Sequence, residues 1–115
     1  MSDAVTKILQ RYIEVFNETD DAARAVGIAE VFTEDALYTD PTAEVPGRDR
    51  INAYIGQFRK QAPQLVFVLG AVKFHHDTAL FDWTAGPDGG APVASGRDFV
   101  RLKDGQIERI HGFFD

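Results

Sequence analysis

The chain has 115 residues, enough for one domain with a real core but not for two, and a hydrophobic fraction of 44% beside a charged fraction of 26% is ordinary for a globular protein. A formal net charge of −6 with no basic stripe argues against nucleic acid as a partner. No run of about 18 apolar residues offers a membrane span, no basic-then-apolar N-terminus reads as a signal peptide, and the absence of cysteine excludes disulfides and thiolate chemistry and fits a reducing, cytoplasmic compartment.

Val5, Ile8, Leu9, Tyr12, Ile13 and Phe16 recur at helical spacing and predict a first helix from about Asp3 to Asn17. Asp20-Asp21 offers an acidic start for a second, whose inward face is expected to carry Ala22, Ala25, Val26, Ala29 and Phe32. Gly27 inside that stretch costs about 1 kcal/mol against alanine in helix propensity. Ala36, Tyr38 and Asp40 read as a short strand ended by Pro41, followed by a loop that Pro46-Gly47 closes. Ile51, Tyr54, Ile55 and Phe58 mark a third helix, stopped by Pro63.

Beyond it the period changes. Gln64 to Phe74, Thr78 to Ala85, Val93 to Lys103 and Gln106 to Phe114 are β-rich segments. Asp104-Gly105 is a strong hairpin signal, His76-Asp77 a second tight turn, and Gly86 to Gly90 a longer hairpin loop. Helices followed by an antiparallel meander predict an α+β domain, residues 1–115, with the sheet curling over the helices.

Three residues in this pattern carry chemistry: Tyr12 on the first helix, Asp40 in Thr39-Asp40-Pro41, and Asp98 in Gly96-Arg97-Asp98-Phe99-Val100-Arg101-Leu102. A buried carboxylate can act as a proton base, while a neutral carboxyl or a tyrosine can donate to a developing oxyanion. Asp40 also suits a plain turn, since Asp-Pro is a routine turn initiator. Tyr12 also suits simple packing of its ring. Asp98 shares a strand face with Val100 and Leu102, opposite Phe99 and Arg101. An acid on an apolar face must be paired, protonated or wet. Along the preceding strand Leu80, Asp82 and Thr84 share one face and Ala79, Phe81 and Trp83 the other; by composition alone the second set is the core. His75 and His76 point to opposite faces, His111 lies on the last strand, and no metal-ligand spacing is present, so the histidines read as surface or interface residues and no metal is expected.

Gln10-Arg11-Tyr12-Ile13, the run Val31-Phe32-Thr33-Glu34-Asp35-Ala36, Asp40-Pro41, Gly47 with Ile51, and Asp98 with Val100-Arg101-Leu102 resemble the SnoaL-like group of the nuclear transport factor 2-like superfamily over nearly the whole chain. The characterised members it most resembles are the ketosteroid isomerases. The resemblance implies a cone-shaped α+β fold in which a strongly curved sheet wraps three helices around an apolar pocket. It matches Tyr12 to an oxyanion-binding tyrosine, Asp40 to a general base and Asp98 to a protonated oxyanion-hole acid. It places Phe16, Phe32, Tyr38, Tyr54, Phe58, Leu80, Asp82, Val100 and Phe114 on the pocket wall, and turns Phe81 and Trp83 outward toward a dimer contact.

The implied activity is cofactor-free proton transfer next to a carbonyl on a small apolar compound, with a second copy of the chain docked on the outer sheet face. A non-catalytic ligand-binding or accessory module is the alternative, as is a hydrolase or cyclase in which Asp82 and Asp98 activate water. The chain departs from the isomerase pattern in a shorter Asp40 to Gly47 segment, in Tyr54 standing one residue early, and in Asp82 where the pattern has an apolar residue.

Overall fold

The structure, a computed structural model, describes residues 2–115. In chain order it contains α1 (Ser2–Asn17), α2 (Asp21–Val31), β1 (Phe32–Asp40), β2 (Ala43–Pro46), α3 (Arg48–Gln61), β3 (Val66–His75), β4 (Thr78–Gly86), β5 (Ala94–Lys103) and β6 (Gln106–Phe114). The strands form one six-stranded sheet in the order β2-β1-β6-β5-β4-β3. Neighbours are antiparallel except β1 and β6, which pair in parallel. The helices pack on the inner face of this sheet, giving the expected curved α+β architecture.

α1 buries Leu9, Tyr12, Ile13, Val15 and Phe16 against the sheet. Its last residue, Asn17, pairs with Phe67 like one more strand residue: Nδ2 donates to the Phe67 carbonyl at 2.9 Å, and Oδ1 accepts the Phe67 N–H at 2.8 Å. α2 starts at Asp20, whose carboxylate accepts from the Ala23 N–H at 2.8 Å as an N-cap.

The buried face of α2 is Arg24, Gly27, Ile28 and Val31, which corrects the expected Ala22/Ala25/Val26/Ala29 face; Val26 is 62% exposed. Arg24 is buried because three elements need its donors. It gives Nη1–H to the Glu18 carbonyl and Nε–H to Asn52 Oδ1, both at 2.7 Å, and pairs with Asp21. Helical periodicity read from apolar residues alone passes over a face built on an arginine and a glycine.

The expected short strand at 36–40 begins earlier, at Phe32, and residues 43–46, expected as loop, form β2 beside β1. The Asp104-Gly105 turn has φ of 53° and 80°, the left-handed pair that an Asp-Gly hairpin provides. Arg48 and Gln106 close the C-terminal end of α2: Arg48 donates to the carbonyls of Ala29 and Phe32, Gln106 to those of Ala29 and Glu30.

Gly27 marks the crossing of α1 and α2, where a Cβ would stand 2.6 Å from Val15 Cγ2. Overpacking here outweighs the gain in helix propensity. Gly27→Ala is therefore expected to lower unfolding free energy by about 1–2 kcal/mol in urea denaturation; a stabilised variant would mean that the helices separate freely at this point.

Candidate active site

Between the inner sheet face and helices α1 and α3 lies a cavity of about 450 Å³, a size typical of small-molecule sites. Its wall is largely aromatic: Tyr12 and Phe16 come from α1, Tyr38 from β1, Tyr54 and Phe58 from α3, Phe67 from β3 and Trp83 from β4. Phe114 at the end of β6 and Val93 before β5 stand at the open side, 54% and 70% exposed.

Asp40 is carried into this wall by the end of β1. Tyr38, two residues earlier on the same strand face, donates to Oδ2 at 2.7 Å, and Tyr54 of α3 donates to the same oxygen at 2.7 Å. Oδ1 accepts from the Thr42 N–H at 2.9 Å and the Thr42 hydroxyl at 2.8 Å. Partial burial pushes the carboxyl upward, but these four hydrogen bonds together outweigh it and hold Asp40 below its ordinary value. Asp40 is ionised at neutral pH. Burial, reinforced by the hydrogen bond to Asp40 and its charge, raises Tyr38; Tyr54 is raised too, so both phenols remain donors.

Asp98 sits two strands away on the same inner face. Its cross-strand neighbours are Phe81 on β4 and Gly112 on β6. The residue is 5% exposed, and the Trp83 indole N–H donates to Oδ1 at 2.8 Å. Burial pushes this carboxyl up to about 7; the indole N–H opposes the rise and the charge of Asp40 adds to it. Gly112 lies between the two acids: a Cβ there would stand 3.0 Å from Asp98 Oδ1 and 3.7 Å from Asp40 Cβ. A side chain at 112 would crowd Asp98 Oδ1, so the bare glycine is what lets the acid lie against β6.

Tyr12 stands beside them. Its ring packs edge-on against Phe16, Phe32 and Phe81, with centroids 6.0, 5.9 and 6.1 Å away. Burial first, then the charges of Asp98 and Asp40, raise its hydroxyl well above the usual range, so it too is a donor. Among the described residues, the solvent-shielded side-chain polar atom left without a partner is Arg59 Nε. Among the described residues neither Tyr12 Oη nor Asp98 Oδ2 has a hydrogen-bond partner, and both side chains line the cavity.

The structure thus brings Tyr12, Asp40 and Asp98 together, with Phe16, Tyr38, Tyr54, Phe58 and Phe114 on the same wall. It removes four expected lining residues. Phe32 and Val100 are wholly buried in the core outside the cavity wall. Leu80 and Asp82 lie on the outer sheet face, where Asp82 Oδ1 accepts from Arg97 Nε at 2.8 Å. Asp82 and Asp98 consequently form no water-activating pair. Phe81 and Trp83, expected on an outer dimer face, are buried inside, 0% and 7% exposed. Alternation decides this: Phe81 pairs with Asp98 and Trp83 with Gly96, so they share the inward face of β5.

Thr42, Phe67, Trp83, Ser95, Gly112 and Asp115 are lining residues not picked out as such from the sequence. For Trp83 the signal was present in the apolar parity of Ala79, Phe81 and Trp83. His111 points outward, bonded to Thr39 at 2.7 Å and stacked on Phe99. Among the described residues there is no group of three or more His, Asp or Glu placed to hold a metal ion, and no helix long and apolar enough to cross a membrane.

A curved α+β cone enclosing an aromatic pocket with two inward carboxyls defines the class of protein. The chain belongs to the SnoaL-like domain family, whose family model matches residues 9–110. It is similar to a candidate isomerase of the SnoaL-like family from Agrobacterium tumefaciens, with 32% identity over 100% of this chain and 99% of that one and a TM-score of 0.91. It shares its fold with a candidate ketosteroid isomerase from Kribbella flavida (17% identity, 98% and 78% coverage, TM-score 0.72). The same holds for a candidate polyketide cyclase from Sinorhizobium meliloti (24% identity, 92% and 93% coverage, TM-score 0.69). No curated protein matches the sequence.

The two acids act oppositely on stability. Asp98 is raised from 3.8 to about 7 on folding, so the folded state holds the extra proton and stability falls as pH rises from about 4 to 7. Asp40 is lowered, so its contribution is present above its unfolded value and is lost as pH falls through the folded one. Urea unfolding across this range should show that Asp98→Asn removes the decline between pH 4 and 7, a difference of a few kcal/mol at the upper end. Parallel pH curves for the two proteins would mean that Asp98 titrates as it does in the unfolded chain.

Proposed function

We propose that this pocket moves a proton next to a carbonyl on a small, uncharged, largely apolar compound, with Asp40 as the proton acceptor and neutral Asp98 with Tyr12 as the donors to the enolate oxygen. The observation that carries the reading is the opposite displacement of two carboxyls bordering one cavity: Asp40 is held ionised by hydrogen bonds, Asp98 pushed toward neutrality by burial. Environments that drive two acids apart in this way separate a base from an acid. Tyr12 Oη and Asp98 Oδ2 are the free polar atoms suited to an oxyanion.

The pocket's charge narrows the substrate. The wall contains three carboxyls, Asp40, Asp98 and Asp115, and no Lys, Arg or His. A carboxylate or phosphate placed there would have no counter-charge, so anionic substrates are disfavoured. Isomerisation of an unsaturated ketone and aldol ring closure both begin by removing a proton beside a carbonyl. The descriptions of the similar proteins, an isomerase and a polyketide cyclase, are therefore compatible with one set of groups.

The test is a spectrophotometric assay on a β,γ-unsaturated ketone such as a 3-ketosteroid, with binding followed separately by quenching of Trp83. Asp40→Asn is expected to lower kcat by about 10²–10⁴ with binding little changed. Tyr12→Phe should lower it by roughly 10² through loss of one oxyanion donor. Turnover by Asp40→Asn at the wild-type rate would remove Asp40 as the base.

One observation favours a second reading, a ligand-binding module without turnover. Both Asp40 oxygens are already occupied, by four hydrogen bonds in all, which makes the carboxylate a weaker base. Under that reading neutral ketones quench Trp83 but none is converted. For the outer face we infer pairing with a second copy: Val68, Phe99 and Phe113 are 56%, 38% and 59% exposed, an apolar surface of the kind that partners cover. Phe113→Glu should reduce the sedimentation coefficient to that of a monomer; a monomeric wild type would dispose of this inference.

A further inference from the structure

Trp83 stands directly across from Gly96, not from Asp98; its cross-strand neighbour lies two residues before the acid on β5. To reach Asp98 the indole must lie along the sheet, over residue 96. A Cβ at that position would overlap both Trp83 Cζ2 and the Phe113 carbonyl oxygen and fall 2.7 Å from Trp83 Cε2, so the ring lies in the space of a side chain that Gly96 lacks, beside the neighbouring strand's backbone. From there its N–H reaches Asp98 Oδ1 at 2.8 Å, and both residues are buried. We propose that Trp83 is the positioning residue that fixes which oxygen of Asp98 carries the proton, its indole lying in the space that Gly96 leaves bare.

An indole nitrogen is a donor only. Oδ1 therefore accepts in either protonation state of Asp98, and because a carbonyl oxygen accepts better than a hydroxyl the bond directs the acid's proton to Oδ2, the oxygen without a partner. With phenylalanine at 83 the carboxyl would be free to turn its hydroxyl inward to the sheet. The bond also strengthens when Asp98 ionises, because a charged acceptor holds an N–H more tightly than a neutral one. Trp83 thus sets both the direction of the proton and how readily it leaves.

The groups facing this carboxyl are few. Tyr12 comes from α1, Asp40 and Tyr38 from β1, Tyr54 from α3, and Asp115 from the mouth. The inward residues of β4 are Ala79, Phe81, Trp83 and Ala85, and those of β6 near it are Ile110 and Gly112, none of them charged. The histidines lie outside the cavity wall.

The catalytic meaning of this positioning rests on the role proposed for Asp98 above, but its test needs no substrate. Trp83 is the chain's single tryptophan, so its emission reports directly on the acid it contacts. Fluorescence of the whole protein between about pH 5 and 9 should change in one step with a midpoint near 7. The step should vanish in Asp98→Asn and move down in Asp40→Asn, where a neighbouring negative charge is lost. Absence of the step in the wild type, or its survival in Asp98→Asn, would overturn the proposal.

A second measurement follows the Asp98 carboxyl itself by carbon NMR in Trp83→Phe, which keeps an aromatic ring and removes the N–H. Its midpoint should rise by about one pH unit, as expected for the loss of one hydrogen bond to a charged group. An unchanged midpoint in Trp83→Phe would sink the assignment. If that variant does not fold, the fluorescence comparison of wild type with Asp98→Asn decides alone.

Discussion

A carboxyl only 5% exposed among aromatic rings must be neutral, hydrogen-bonded or both, and the inner face of the sheet around Asp98 is fitted to that demand. One neighbour supplies an N–H, Gly96 and Gly112 nearby carry no side chain, and no cation lines the cavity. A lysine or arginine at this depth would have ionised the acid and turned the pair into a structural ion bridge. Leaving it without one keeps the proton exchangeable near neutral pH, where a transferable proton is most useful. Asp40 meets the same surroundings with the opposite solution, four donors and a wetter edge, so two identical side chains have different chemistry.

The cations of the chain are used elsewhere. Arg24 joins the end of α1 to α2 and α3, and Arg48 covers the end of α2. Arg59, also buried, lies over the Phe58 and Phe67 rings and donates to the Leu65 carbonyl at 2.6 Å, closing the turn after α3. All three donate to backbone carbonyls at or just beyond helix ends. Positive charge thus supports the cavity from behind while its wall carries no cation. That separation makes a neutral ligand the natural occupant.

Much of this was legible in the sequence. The α1 and α3 stripes, the Asp-Gly hairpin and the inward parity of Asp98 with Val100 follow from local rules of spacing that tertiary packing did not override. The α2 face was not legible, because its inward positions are an arginine and a glycine whose reasons lie on other elements. The hydroxyls around Asp40 were not legible either: Thr42 and Tyr38 are sequence neighbours, but Tyr54 arrives only when α3 packs across β1. Asp82 is the instructive case. Its own strand's alternation put Phe81 and Trp83 inside, and resemblance to a more distant enzyme suggested the reverse. The structure follows the alternation, since a one-residue slip would place an acid in the core and a tryptophan outside it.

The parallel pairing of β1 with β6 has a further consequence, for the order in which the protein can be assembled. β6 lies between β1 and β5, so it is the only strand that joins the β1–β2 hairpin to the β3–β4–β5 meander. Thr39 meets His111, which lies 72 positions further along the chain. Such a long-range closure makes the transition state costly in loop entropy and folding slow relative to a helical bundle of this size. During synthesis two half-sheets with unpaired edges must wait for the last strand, and both carboxyls stay in water until it arrives. Gly112 on that strand borders Asp40 and Asp98. Completion of the sheet and creation of the acid pair's environment are therefore a single event.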